Sequence, residues 1–73
     1  MIRAIGLVEF VSIAKGIEAA DAMLKAANIE LLEAKPICPG KYIVLICGDV
    51  SAVENSVNAG KAIGGGHVVD DFV

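Results

Sequence analysis

Long apolar runs are missing from this sequence. The longest uninterrupted one, Tyr42 to Gly48, falls far short of the roughly 18 residues needed to cross a bilayer, so no membrane span and no membrane partner are expected. The N-terminus, Met1 to Gly6, has one basic residue and then reads as a strand. It lacks the long apolar region and small-residue cleavage site of a secretory leader, and a cytoplasmic location is the expectation. Positive charge is scarce as well. Six Lys+Arg against nine Asp+Glu give a net charge of −3, and no basic cluster carries interleaved aromatics, which argues against nucleic acid as a partner. Cysteine occurs twice, at Cys38 and Cys47. No C-x2-C pattern results, so neither a disulfide-stapled scaffold nor a zinc or iron–sulfur site within one chain is suggested.

A catalytic constellation is also lacking. His67 follows three glycines and has no acidic or cysteine neighbour at a motif spacing, and a place in a strand accounts for it. Gly64-Gly65-Gly66 follows a helical pattern instead of opening one and has no downstream Lys-Ser/Thr, so it is a turn and not a phosphate loop. Glu9 and Glu33 pair with no nucleophile by spacing, and no enzyme activity is expected.

What is abundant is apolar side chain. Of the 73 residues 56% are hydrophobic, with a mean hydropathy of +0.72, more than a core of this size can hide. Short chains bury a smaller share of their surface than long ones, and a solitary core is marginal. With no disulfide framework and no metal site within the chain, the remaining source of stability is association with other subunits.

The periodicities predict the order β-α-β-β-α-β. Apolar residues on both parities from Ile2 to Val11 predict a strand covered on much of both faces. From Ser12, a plausible N-cap, the period lengthens. Ile13, Ile17, Ala20, Leu24 and Ala27 predict the buried face of an amphipathic helix that stops near Asn28, with Asp21 and Lys25 an i, i+4 pair on its surface. Ile29 to Ala34 reads as a second strand, ended by Pro36-Ile37-Cys38-Pro39-Gly40, where two prolines and a glycine argue against a regular ladder. Tyr42 to Cys47 reads as a fully buried strand, and Asp49 is placed to cap a helix with Val50, Val53, Val57 and Ala62 on its apolar side. The three glycines end that helix, and His67 to Val73 supplies a last strand. Two such half-units fit the α+β, ferredoxin-like split βαβ plan, with an antiparallel sheet, both helices on one face, and the first and third strands central.

The runs Ile5-Gly6-Leu7-Val8-Glu9, Gly16 to Asn28 and Gly48-Asp49-Val50 with Ala52-Val53 resemble the bacterial microcompartment (BMC) shell domain, across nearly the whole chain. Ser12 to Gly16, Ala34 to Tyr42 and Val69 to Val73 are similar to the PduT-type tandem shell proteins of propanediol-utilisation compartments. The resemblance implies a structural shell protein that forms a hexamer, or a pseudohexameric trimer if two domains share a chain. It implies that other shell proteins are partners and that the location is the microcompartment shell. It places the loop Pro36, Ile37, Cys38, Pro39, Gly40 and Lys41 at a central pore, and Lys25 at the tile edge where rings meet. It further implies a [4Fe-4S] cluster shared between subunits, with Cys38 as the metal ligand. Residues 1–73 read as a single domain, either half of a tandem protein or a shortened or designed single-domain form.

One thiol per chain can hold a cluster only where a rotation axis gathers copies around a point. Pro36 and Pro39 flank Cys38 and limit the entropy lost on ligation, and Lys35 and Lys41 favour its thiolate. Cys47, inside an apolar strand, reads as structural. At about 3.3 Å per residue it lies roughly 17 Å along that strand from its start, beyond the ~7 Å Cα limit for a bridge to Cys38. The rival reading is a ligand-binding regulatory domain with a ferredoxin-like fold, because this fold does not fix function.

Overall fold

The computed structural model describes residues 3–37 and 39–73. Strand β1 runs over Ala4–Phe10, helix α1 over Ile13–Ala26, β2 over Glu30–Ile37, β3 over Lys41–Gly48, helix α2 over Val50–Gly64, and β4 over Val68–Phe72, with a 3-10 turn at Gly65–His67 before it. The strands form one antiparallel sheet in the order β2-β3-β1-β4. The first and third strands are central, as their apolar density predicts, and the ferredoxin-like βαββαβ plan holds. Side chains alternate across a strand, so Val8 and Phe10 of β1 share a face with Val44 and Ile46 of β3. These pack with Ala19, Ala20 and Met23 of α1 and Val53 and Val57 of α2 in a single core. Both helices therefore cover the same face.

The opposite face carries no helix, so within one chain the first and third strands are covered on one side only. Ile5 is 44% exposed, and Leu7, Ile43 and Leu45 are only half-buried. Each central strand is apolar on both parities, yet only one parity meets the helices.

Helix α1 carries a correction. Its buried residues are Gly16, Ala19, Ala20 and Met23, whereas Ile13, Ile17 and Leu24 are exposed, Ile17 at 56%. At 100° per residue the large aliphatic stripe is rotated roughly a quarter turn from the buried one. Close approach explains the choice. A Cβ on Gly16 would collide with the Tyr42 ring, and one on Gly60 of α2 would lie 2.6 Å from Met23 Sδ, so glycine and alanine line the close contacts, Met23 packs over Gly60, and the branched aliphatics Ile13, Ile17 and Leu24 are turned outward. Helix α2 repeats the pattern: Val53 and Val57 are buried as expected, with Ser56, Gly60 and Gly64 beside them, but Val50 and Ala62 are exposed. The Ser56 hydroxyl donates to the Met23 carbonyl at 2.8 Å in the buried helix–helix contact, a bond worth about 1 kcal/mol.

The helix ends differ in detail from the expectation. Ser12 caps α1, its Oγ accepting from the Lys15 N–H at 3.1 Å, and Ala27, not Asn28, is the C-cap. Asp49 sits at the N-cap position of α2 but its side chain makes no capping bond; it pairs instead with Arg3 at 3.3 Å. Gly65, at φ +52°, ends α2 and donates its N–H to the Lys61 carbonyl. His67 belongs to the 3-10 turn, so β4 starts one residue later than expected. Lys61 and Asp71, 3.3 Å apart, tie α2 to β4.

Candidate functional site

The segment expected as an irregular loop, Pro36 to Lys41, is strand at both ends, with Pro36 and Ile37 in β2 and Lys41 in β3. Pairing continues through Pro36 opposite Tyr42 and Ile37 opposite Lys41, because β2 is an edge strand and an edge proline can leave the ladder intact when its nitrogen faces outward. Only residues 38–40 lie between the paired strands, and Gly40, at φ +72°, supplies the left-handed position that short hairpin turns require. The candidate pore element thus begins and ends within the β2–β3 ladder. Cys38, the candidate cluster ligand, lies outside the described residues.

Both lysines beside the tip are paired. Lys35 Nζ is 3.2 Å from Glu33 Oε1, and Lys41 Nζ is 3.6 Å from Glu9 Oε2. The carboxylates offset the positive charge that the sequence suggested would favour a thiolate. Cys47 is 2% exposed and free, as its place in an apolar strand predicts. Among the described residues no group of three or more His, Cys, Asp and Glu is arranged to hold a metal. The described residues of one chain therefore do not fit a [4Fe-4S] cluster.

Lys25 stands in the last turn of α1, well exposed, with its Nζ 2.9 Å from Asp21 Oδ2, the i, i+4 pair read from the spacing. His67 Nδ1 donates to the Gly64 carbonyl at 3.3 Å and its own carbonyl accepts from the Val11 N–H at 2.8 Å; both bonds hold the turn before β4.

Two apolar surfaces escaped the sequence reading. One is the outward stripe of α1, Ile13, Ile17 and Leu24; the other is the bare sheet face around Ile5, Leu7, Ile43 and Leu45. The signal for the first was present, since α1 has two apolar stripes, but period alone does not say which faces inward. At the end of the sheet Arg3, Ala4, Ile5, Val50, Phe72 and Val73 line an open groove.

The sequence profile of the BMC domain matches residues 4–73. The chain belongs to the BMC domain family. This BMC domain is 51% identical over its whole length to the bacterial microcompartment shell protein PduT of Citrobacter freundii, of which it spans 40%. It is 39% identical over 74 aligned residues to the carboxysome shell protein CcmK2 of Synechococcus elongatus, covering 96% of this chain and 72% of that one. A crystal structure of a microcompartment protein from Desulfitobacterium hafniense superposes with a TM-score of 0.92 at 74% identity, over 93% of this BMC domain and 38% of that chain. The chain thus spans about two-fifths of the PduT relative and of the solved neighbour, and nearly three-quarters of CcmK2.

Proposed function

We propose that this BMC domain is a structural shell subunit, a tile that excludes bulk diffusion, and not an enzyme. The observation that carries the reading is the pair of unlike apolar surfaces, the Ile13–Ile17–Leu24 stripe on α1 and the bare face of the sheet. Two different patches that fit each other make a head-to-tail contact, and head-to-tail contacts close into rings when the rotation allows. A ring of six domains, either six chains or three tandem chains, follows from the resemblance to PduT-type proteins. In such a ring the residues Pro36 to Lys41 gather at the central pore, Lys25 lies at the tile edge facing other shell proteins, and the assembly belongs to a microcompartment shell in the cytoplasm.

The cluster reading depends on the symmetry of the ring. If three copies of Cys38 converge on the axis, their thiolates supply three ligands for a [4Fe-4S] cluster, with the fourth iron position left to solvent or another ligand. Six identical loops instead surround the pore with six thiols, the arrangement in which a plain pore is expected.

Sedimentation of the purified chain tests the assembly. A closed ring with the mass of six domains is expected, and a stable, folded monomer overturns the proposal. A regulatory ligand-binding domain, the rival for this fold, would more often sediment as a dimer.

A further inference from the structure

We draw no further inference here: the strongest candidate, the open groove at the end of the sheet lined by Arg3, Ala4, Ile5, Val50, Phe72 and Val73, is an unpartnered apolar surface, and nothing in the structure shows what covers it.

Discussion

At Gly16 helix α1 lies against Tyr42 with no room for a Cβ, and Gly16 itself is buried. Alanine at a helical position is normally favoured over glycine by about 1 kcal/mol, whereas overpacking a core costs about 1–3 kcal/mol. The new methyl meets the Cβ and Cγ of Tyr42, the inflexible part of that side chain, so overpacking should win. Gly16→Ala is expected to lower the denaturant midpoint, and a midpoint equal to or above that of the parent would show that α1 can lift off the sheet without cost. Cys38, the proposed cluster ligand, offers a second residue-scale test. Under anaerobic reconstitution of a three-fold assembly, the parent should take up iron with visible absorbance while Cys38→Ser does not, its ring mass unchanged. Equal iron in the two proteins would refute Cys38 as the ligand.

Among the elements, α1 shows how a strong periodicity can point the wrong way. Ile13, Ile17 and Leu24 form a clean aliphatic stripe, but Gly16, Ala19 and Ala20 allow closer approach to the sheet and to α2, and closeness decides which stripe goes in. The cost is an exposed aliphatic face, which the proposed neighbour covers. Ile17→Asp places a charge on that face at a position already 56% exposed, where substitutions usually change stability by no more than about 0.5 kcal/mol. The expected result is loss of the ring by sedimentation with the helical circular dichroism retained. An unchanged ring would remove the α1 stripe from the interface. Strand β2 presents the converse case. Two prolines argue against a ladder there, yet its position at the sheet edge lets Pro36 stay in register opposite Tyr42.

For the whole molecule, surface area sets the terms. Chains this short bury a modest share of what the unfolded chain exposes, and this one leaves large aliphatic side chains exposed on the helix layer and also on the bare sheet. Ring closure would bury them, while contacts between rings would use the rim. Lys25 and Asp21 are both well exposed, so their pair contributes only about 0.3–0.5 kcal/mol to the helix and the lysine is free to exchange partners. Lys25→Ala should therefore leave ring mass and thermal midpoint nearly unchanged while impairing the two-dimensional sheets seen by electron microscopy. Sheets of normal extent would take Lys25 off the tile edge.

Element order, the central position of the first and third strands, the Ser12 cap and the Asp21–Lys25 pair were all legible in the sequence, because each rests on spacing along the chain or on local chemistry. The buried state of Cys47 was legible for the same reason, standing as it does in a run of strand-forming apolar residues. Orientation was not. Which stripe of α1 faces the core depends on what lies opposite it, Tyr42 against Gly16 and Met23 against Gly60, and those residues are distant in sequence. Only the tertiary structure leaves one face of the sheet bare, since apolar residues on both parities of a strand record that both faces avoid water without recording whether a helix or another subunit covers each. The ion pairs of Lys35 with Glu33 and Lys41 with Glu9 belong to the same class, because strand register aligns the second pair across the sheet and rotamer choice completes both.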